Sequence, residues 1–449
     1  MRFDFVWYNK FNLERVMIMY RKISDKLERW KNSPHRKPLI LQGARQVGKT
    51  YSILEFGRNH YNNVAYFNFE CDPDLNALFS GRIDPEYLIP ILSTVSHQTI
   101  IEEKTLIFFD EVQLCERALT SLKYFCEQAP KYHIIVAGSL LGIAVNRKES
   151  SFPVGKVEFM TMFPMDMEEF LLSLGEKFVV EQIRSCFEEN TPMPAPLHTT
   201  ALERYRQYLV VGGMPECVQQ FALTNDYLLV RNLQNDILTS YLNDMSKYNK
   251  ENEIKKTRLT YNSITAQLSQ KNTRFRYKLI KQGGRASEFE NAIEWLILSG
   301  IVSRVYSVDQ IMKPLNNYIN VDDFKIYTSD TGLLAAKNKL VAEDILYDSI
   351  ALDQFKGGMV ENYVQNQLFF NEYDTYYWHA KSDAEIDFII QREGNIIPIE
   401  VKAADNTRAR SLNIYMKRYQ PEYAIKVSTK NFSFEDGKKT IPLYATFCI

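Results

Sequence analysis

The fold is decided by the stretch Leu39-Ile40-Leu41-Gln42-Gly43-Ala44-Arg45-Gln46-Val47-Gly48-Lys49-Thr50. An apolar run ends at a glycine, and Gly-Lys-Thr follows after four residues, which is the P-loop spacing G-x-x-x-x-G-K-[ST]. The glycines let the backbone curl so that successive N–H groups point at phosphate oxygens, and the following helix presents an N-terminus that favours anions. The alternative is a chance match in a glycine-containing turn, but a strand pattern before the loop and a helical pattern after it, at 51–56, argue against that. The stretch therefore predicts a bound nucleotide.

The chemistry of a P-loop assigns roles to individual residues. We expect Lys49 to reach the β- and γ-phosphates of ATP and to be essential for catalysis, and the Thr50 hydroxyl to ligate Mg²⁺. The predicted cofactors are thus ATP and Mg²⁺. The residues predicted to bind the nucleotide are Gly43, Ala44, Arg45, Gln46, Val47, Gly48, Lys49, Thr50 and Tyr51.

An acidic motif follows a second apolar strand pattern. Leu106-Ile107-Phe108-Phe109 leads directly into Asp110-Glu111, and an apolar strand that delivers an acid at its C-terminal end is the Walker B arrangement. Asp110 would hold Mg²⁺, directly or through water, and Glu111 would act as general base on the attacking water. The alternative is a plain strand followed by an acidic helix cap. Two adjacent acids at a strand end favour hydrolysis over binding alone.

Ser139 comes shortly after the next strand pattern, at 133–137. In ATPases of this layout, a polar residue at this point lies between the two catalytic strands and senses the γ-phosphate. We predict that role for Ser139, and a turn serine at a strand end is the alternative.

Strand and helix patterns alternate over the first part of the chain. This alternation predicts a parallel sheet with crossover helices, an α/β fold of the P-loop type. A helical pattern precedes the sheet, and a helical region after it predicts a lid over the nucleotide. The predicted strands are 38–42, 64–69, 105–109, 133–137 and 157–162. The predicted domains are an N-terminal helix (1–34), the ATPase core (35–170), the helical lid (171–258), a winged-helix-like domain (259–330) and a nuclease-like domain (331–449).

The pattern changes between residues 260 and 327. Two helical patterns, at 264–269 and 287–299, precede two strand patterns at 301–307 and 318–327, which resembles a winged helix-turn-helix. A basic run before the second helix consists of Lys271, Arg274, Arg276, Lys278, Lys281 and Arg285. With its interleaved aromatic residues, this run could hold a phosphate backbone, so DNA is a candidate partner. The alternatives are a solvated basic loop and a winged helix that contacts only protein.

A predicted β-hairpin near the C-terminus carries a second set of acidic residues. A two-residue turn at Glu393-Gly394 fixes the register between the strand patterns 385–390 and 396–402. In that register Asp387 lies opposite Glu400, which places their Cβ atoms about 4.5–5.5 Å apart. The two carboxylates are therefore expected to be neighbours on one face of the hairpin.

Lys402 lies two residues beyond Glu400 and projects to the same face. These residues match the Asp…Glu-x-Lys core of the PD-(D/E)xK nuclease fold, although Ile386 stands where that pattern has proline. Glu361, in the preceding helical pattern, matches an acid that this fold often adds. We predict that Glu361, Asp387 and Glu400 bind Mg²⁺ and that Lys402 orients or activates water. The alternative is a solvated face with a cross-strand ion pair, but apolar residues along both strands favour a buried hairpin, on which charges need a function.

Composition limits the partners and the location. The chain has 449 residues and a net charge of −1, so contact with nucleic acid must come from local basic patches. Six scattered cysteines without a C-x-x-C pair are typical of reduced thiols. No apolar run approaches the roughly 20 residues that span a bilayer, and the N-terminus lacks a signal-peptide pattern. We therefore expect a cytoplasmic protein without a membrane partner.

The ordered set of motifs resembles a known family. The motifs are the P-loop, Phe108-Phe109-Asp110-Glu111-Val112-Gln113, Ala137-Gly138-Ser139-Leu140, Phe163-Pro164-Met165, Tyr208-Leu209-Val210-Val211-Gly212-Gly213-Met214-Pro215-Glu216, Ile326-Tyr327-Thr328-Ser329-Asp330-Thr331-Gly332-Leu333-Leu334 and Ile399-Glu400-Val401-Lys402. Over nearly the whole chain they resemble the AAA-type ATPases of bacteria and archaea (AAA_14) that carry a C-terminal DUF4143 region. The resemblance implies ATP binding and hydrolysis. The Walker motifs alone are common to many P-loop proteins, whereas the ordered set is specific.

The chain departs from that family at one position. The family tends to have Gly-Arg before the fifth strand, whereas this chain has Gly155-Lys156. If that arginine acts in trans as an arginine finger, within a homo-oligomer, Lys156 supplies the charge without the bidentate fork. Arg147 is a nearby substitute, and we assign no finger.

Two functions are compatible with these patterns. The leading hypothesis is a Mg²⁺-dependent ATPase coupled to DNA handling through the winged helix and the nuclease-like domain. The alternative is a nucleotide-dependent switch that binds a protein partner and uses an inactive nuclease-like module for docking.

Overall fold

Strand β1, Leu39–Gln42, lies in the interior of the first sheet, and its apolar residues are buried on both faces. The computed structural model describes residues 19–138, 153, 155–247, 251–270, 273–347, 353–380, 384–403 and 410–449. Ser139, Arg147 and Lys271 lie outside these residues, so their predicted roles have no structural counterpart here. None of the helices in the described ranges combines the length and apolarity needed to cross a membrane.

The five strands predicted for the first part of the chain form one sheet. Its order is β2-β3-β4-β1-β5, and every neighbouring pair is parallel. The strands are β1, β2 (Asn63–Asn68), β3 (Thr105–Asp110), β4 (His133–Ala137) and β5 (Glu158–Thr161). The predicted α/β sheet of P-loop type is confirmed, and in it the carboxyl ends of β1 and β3 lie at the same edge.

Helices cover both faces of this sheet. They are α1 (Lys22–Asn32), α2 (Lys49–His60), α3 (Leu75–Leu78), α4 (Pro85–Ser96) and α5 (Glu116–Gln128). Alternate strand residues enter two separate cores: Leu41 and Phe108 face the larger one, whereas Ile40 and Ile107 face the other. The period of two along each strand therefore builds a three-layer domain.

A helical region follows, as predicted. Its helices are α6 (Met167–Ser173), α7 (Lys177–Glu189), α8 (Ala195–Val211), α9 (Pro215–Thr224), α10 (Tyr227–Lys247), α11 (Glu251–Leu268) and α12 (Ala286–Leu298). The short helix predicted at 264–269 is wrong in length, because it is the end of the 18-residue helix α11.

A second sheet has mixed strand directions. In the described residues its order is β12-β13-β11-β10-β9-β8-β6-β7. The elements are β6 (Val302–Val308), β7 (Ile319–Thr328), α13 (Thr331–Lys337), α14 (Ala342–Leu346), α15 (Asp353–Phe370), β8 (Tyr376–His379), β9 (Glu385–Arg392), β10 (Asn395–Val401), α16 (Arg410–Tyr419), β11 (Ala424–Ser428), β12 (Ser433–Glu435) and β13 (Lys438–Pro442).

Strands β6 and β7 correct the predicted domain boundary at residue 330. They pair antiparallel, as the predicted wing does. However, β6 also pairs in parallel with β8, so both strands belong to the same sheet as the C-terminal hairpin. The boundary thus cuts through one continuous sheet, and the wing is not a separate unit.

The C-terminal hairpin has the predicted register. Asn395 lies opposite Arg392, and Ile399 lies opposite Phe388. The turn residues Glu393 (φ 49°) and Gly394 (φ 82°) both adopt positive φ, as a two-residue type I′ turn requires.

Candidate functional site

The P-loop connects β1 to α2. Gly43 has φ 146° and Gly48 has φ 92°, a region of backbone conformation that favours glycine. A Cβ on Gly43 would lie 2.2 Å from the carbonyl oxygen of Met162, so no side chain fits there. Both glycines of the motif are thus required by the curl of the loop.

Lys49 folds back onto the loop that contains it. Its Nζ donates to the carbonyl oxygens of Gly43 (2.9 Å) and Ala44 (2.8 Å). Burial lowers the pKa of Lys49 to about 8, and the acidic residues Glu111 and Asp110 oppose that shift. The ammonium group therefore lies inside the loop. An anionic ligand bound there would raise the pKa of Lys49 back towards its usual value.

Thr50 and Asp110, both predicted to hold Mg²⁺, are in contact. The Thr50 hydroxyl donates to Asp110 Oδ2 at 2.9 Å, and the Tyr66 hydroxyl donates to the same oxygen at 3.0 Å. Burial raises the pKa of Asp110 above its usual value. The hydroxyl and the carboxylate form the oxygen donor set that suits Mg²⁺, so the residues present fit that ion.

Glu111, the predicted general base, occupies an unusual backbone position. It follows β3 with φ 51°, in the left-handed region, which costs free energy for a residue with a side chain. Gln113 Nε2 donates to Glu111 Oε2 at 2.5 Å. This contact holds the carboxylate at the edge of the sheet beside the P-loop.

Helix α10 lies over the P-loop through contacts that the sequence did not predict. Arg45 Nη1 pairs with Asp244 Oδ1 at 2.7 Å, and Lys247 Nζ pairs with Glu70 Oε1 at 2.8 Å. Asp244 is buried, which raises its pKa. Helix α10 therefore spans from the P-loop to the segment after β2, and its role as a lid stays a prediction.

Arg21 supports the P-loop from the N-terminal side. Its guanidinium donates to the carbonyl oxygens of Val47 (3.0 Å) and Phe163 (2.7 Å) and pairs with Glu169 (3.2 Å). Arg21 is buried. A single arginine outside any motif gave no signal in the sequence.

The second half of the chain also contacts the P-loop. Gly300, between α12 and β6, packs so closely that a Cβ on it would lie 3.0 Å from the backbone nitrogen of Ala44. Pro215, the first residue of α9, lies 3.6 Å from the Cβ position of Gly48. Both halves of the chain thus meet at the nucleotide-binding loop.

Three motifs of the chain form one junction. The Gly213 N–H donates to Asp330 Oδ2 at 2.6 Å, and the Met165 N–H donates to the Gly213 carbonyl oxygen at 2.6 Å. The Leu333 N–H donates to Asp330 Oδ1 at 2.7 Å. Asp330 is 2% exposed, and burial raises its pKa to about 6. The junction joins the first sheet, the helical region and the second sheet.

The C-terminal hairpin forms the second candidate site. The strand pairing ends with Ile399 opposite Phe388, and Asp387 and Glu400 are the next residue on each strand. Asp387 Oδ2 accepts a hydrogen bond from the Val401 N–H at 2.7 Å. Burial, and then the nearby Glu361 carboxylate, raise the pKa of Asp387 to about 7.

Glu400 has spare hydrogen-bonding capacity. It is 2% exposed, and its Oε1 pairs with Lys402 Nζ at 2.9 Å. Its Oε2 has no hydrogen-bond partner, which is costly for a buried carboxylate oxygen. The pair Glu400 and Lys402 thus comes together as predicted, with one oxygen left to accept a further donor or a cation.

Glu361, on α15, is engaged by residues that the sequence did not predict. Its Oε1 accepts from Lys325 (2.8 Å), Tyr327 (2.5 Å) and Thr273 (3.2 Å). Lys325 Nζ also pairs with Glu385 Oε1 at 2.6 Å. The sequence gives no signal for this contact, because Lys325 alternates with Phe324 and Ile326 as a solvent-facing strand residue does.

In this arrangement, no three His, Cys, Asp or Glu side chains among the described residues are placed to hold a metal ion. The Mg²⁺ site at Glu361, Asp387 and Glu400 stays a prediction.

Lys156, considered as a replacement for an arginine finger, pairs with Glu127 of the same chain at 2.9 Å.

Three family models match successive parts of the chain. Residues 35–171 match an AAA domain (AAA_14), residues 202–344 match a domain of unknown function (DUF8612), and residues 356–446 match another (DUF4143). A comparison with curated proteins finds no significant match. The first part of the chain is thus an AAA-type P-loop domain, followed by two domains whose functions are unknown.

A comparison with solved structures gives distant matches. The Walker-type ATPase PABY2304 of Pyrococcus abyssi is 14% identical, with 72% of this chain and 96% of that chain covered and a TM-score of 0.43. The ORC2 protein of Aeropyrum pernix is 12% identical, with 76% and 98% covered and a TM-score of 0.34. The RuvB Holliday junction branch migration motor of Thermotoga maritima is 13% identical, with 64% and 90% covered and a TM-score of 0.27.

Proposed function

We propose that this protein binds MgATP at its P-loop and hydrolyses it. The observation that supports this most is the 2.9 Å contact between Thr50 and Asp110, with Glu111 as the next residue. The hydroxyl and the carboxylate would hold Mg²⁺, which would neutralise charge that develops on the phosphate oxygens.

Each residue of the site then has one task. Lys49 leaves the carbonyl oxygens of Gly43 and Ala44 and moves to the phosphates, where its charge is compensated. Glu111 accepts the proton of the attacking water, and Gln113 orients the Glu111 carboxylate. Ser139, which lies outside the described residues, would sense the γ-phosphate.

Two variants test the ATPase proposal. Lys49→Ala should lose ATP binding, whereas Glu111→Gln should bind ATP with nearly unchanged affinity and lose turnover by about 10²- to 10⁴-fold, because only the proton acceptor is removed. The measurements are ATP binding by calorimetry and phosphate release. The exposed residues Lys123 and Glu103 provide matched controls, Lys123→Ala and Glu103→Gln. Normal turnover in Glu111→Gln would exclude Glu111 as the base.

A second activity is proposed for the C-terminal hairpin. Asp387 and Glu400 would hold a Mg²⁺ ion, with Glu361 beside them, and Lys402 would orient the attacking water in a PD-(D/E)xK-type nuclease site. The orphaned Glu400 Oε2 and the 2.9 Å contact from Lys402 to Glu400 support this proposal. The substrate would be DNA, held in part by exposed basic residues of the segment before α12, such as Lys278 and Arg285.

Cleavage assays test the nuclease proposal. Glu400→Ala should abolish Mg²⁺-dependent cleavage of DNA, whereas Glu435→Ala, which changes an exposed glutamate on β12, should leave it intact. Cleavage that persists in Glu400→Ala belongs to another site.

The competing function is a nucleotide-dependent switch that docks a protein partner. DNA binding that weakens steeply as salt rises would support the nucleic-acid function, because phosphate contacts release counterions. Absence of DNA binding at low salt, together with intact ATP turnover, would favour the switch.

A further inference from the structure

Lys325 is a cation buried inside the C-terminal acidic site. It lies on β7, three strands away from β9 in the sheet order, yet its Nζ reaches carboxylates on both α15 and β9. The distances are 2.8 Å to Glu361 Oε1 and 2.6 Å to Glu385 Oε1. Its side chain is 1% exposed. The ammonium group is therefore enclosed by protein.

The surroundings of Lys325 stabilise a positive charge. Burial opposes the charged form, but Glu361 and Glu385 outweigh that effect and raise the pKa of Lys325 above its usual value. The ammonium group also lies 4.8 Å from the centre of the Tyr377 ring, within the range of a cation–π contact. A lysine fully removed from water is retained only where such compensation exists.

The oxygen atoms around Lys325 are also those that a divalent cation prefers. Glu361 and Glu385 contact Lys325 directly, and the Asp387 carboxylate is close enough to act on its charge. Carboxylate oxygens of this kind bind Mg²⁺ and Mn²⁺. The described part of the chain has no set of three acidic, His or Cys side chains arranged for a metal. The ammonium group of Lys325 is thus the cation that the Glu361 and Glu385 carboxylates contact.

We infer that Lys325 is a built-in cation that fills one metal position of the C-terminal acidic site, so that only the position at Asp387 and Glu400 is open to a metal ion. The orphaned, buried Glu400 Oε2 marks that open position. This inference rests on the proposed function for the Asp387–Glu400 position alone. It assigns the site to one-metal chemistry, in contrast to sites that clamp a substrate between two ions.

Removing the lysine tests this inference. Mn²⁺ binding to the full chain without nucleotide is measured by electron paramagnetic resonance and calorimetry. Lys325→Met should bind one more Mn²⁺ per chain than the unmodified protein, and the added substitution Glu361→Gln should weaken that extra site at least tenfold. Lys325→Arg keeps the charge and should bind Mn²⁺ as the unmodified protein does. An unchanged number and affinity of Mn²⁺ sites in Lys325→Met would overturn the inference.

A stability measurement covers the case in which Lys325→Met folds poorly. Mn²⁺ should then raise its unfolding temperature more than it raises that of Lys325→Arg, and failure to do so also overturns the inference. The two proposals remain separable, because Mn²⁺ bound by the unmodified protein and lost in Glu400→Ala reports the Asp387–Glu400 position. The extra ion in Lys325→Met reports Lys325 alone.

Discussion

Two adjacent glycines of α15 should respond to alanine in opposite ways. A Cβ on Gly357 meets no atom within 4 Å, whereas a Cβ on Gly358 would lie 2.0 Å from the carbonyl oxygen of Leu268. Real Cβ contacts essentially never fall below 3.0 Å, so α15 must move by about 1 Å from the end of α11 to accept Gly358→Ala.

The magnitude follows from two opposing terms. Alanine gains about 1 kcal/mol over glycine inside a helix, and both variants share that gain. Overpacking against backbone costs about 1–3 kcal/mol or more, and only Gly358→Ala incurs it. We therefore expect Gly357→Ala to raise the free energy of unfolding by about 1 kcal/mol and Gly358→Ala to fall below Gly357→Ala by about 1–3 kcal/mol.

The assay combines a global and a local readout. Urea unfolding ranks the variants, and amide hydrogen exchange of peptides from α11 and α15 locates the change, because a chain with several domains need not unfold in one step. Glu361 lies one helical turn after Gly358, so Gly358→Ala should also loosen its contact with Lys325. Equal stability of the two variants, or a more stable Gly358→Ala, would refute this reasoning.

Three further predictions concern the junction, the lid and the support of the P-loop. The folded-state pKa of Asp330 is about 6 against an ordinary 3.8, so the folded chain binds the proton more tightly than the unfolded chain does. The stability contributed by this group should therefore fall by about 2 kcal/mol as pH rises from 4 to 6. Asp330→Asn should therefore gain in unfolding temperature relative to the unmodified protein over that range, and a pH-independent difference would contradict this. Asp244→Asn weakens the 2.7 Å contact with Arg45 and should speed release of a fluorescent ATP analogue about two- to fivefold in stopped-flow experiments; an unchanged rate would show that the pair does not hold the lid. Arg21→Ala leaves Glu169 buried without its cation and should lower the free energy of unfolding by about 3–5 kcal/mol in urea titrations, whereas a loss below 1 kcal/mol would count against a structural role for Arg21.

The first sheet was predictable because each strand is a short apolar run between helical patterns. The apolar run of β3 is buried along its whole length, which is typical of a parallel strand covered on both faces. The hairpin register was predictable for a different reason. A two-residue turn leaves one pairing open to the strands, and Glu393-Gly394 provides that turn.

Other features depend on tertiary contacts that no local pattern carries. Helix α11 begins at Glu251, but its first half is polar and charged, so the apolar period that predicts a helix appears only towards its end. A wing-like pairing of β6 with β7 was visible, but the partner of β6 on its other side is 70 residues away in sequence. Lys325 fits the pattern of a solvent-facing strand residue, and only the fold shows that it is buried.

The residues at the P-loop also separate into those that the sequence could predict and those that it could not. Thr50 and Asp110 meet because the P-loop and the end of β3 lie at the same edge of a parallel sheet, which their motifs imply. Arg21 and Asp244 reach the P-loop from helices outside the sheet, and a single charged residue in a helix carries no positional information. The residues that surround the loop were therefore beyond prediction, whereas those within it were not.

The close approach of Gly300 to Ala44 connects the P-loop directly to the start of the second sheet. Close-packed backbones transmit displacement because neither can be compressed, and a methyl group on Gly300 would already make a tight 3.0 Å contact with the Ala44 nitrogen. Strand β6 begins two residues after Gly300. A shift of the loop by a fraction of an ångström would therefore displace the start of β6. The position of the eight-stranded sheet would then depend on whether the loop holds a ligand.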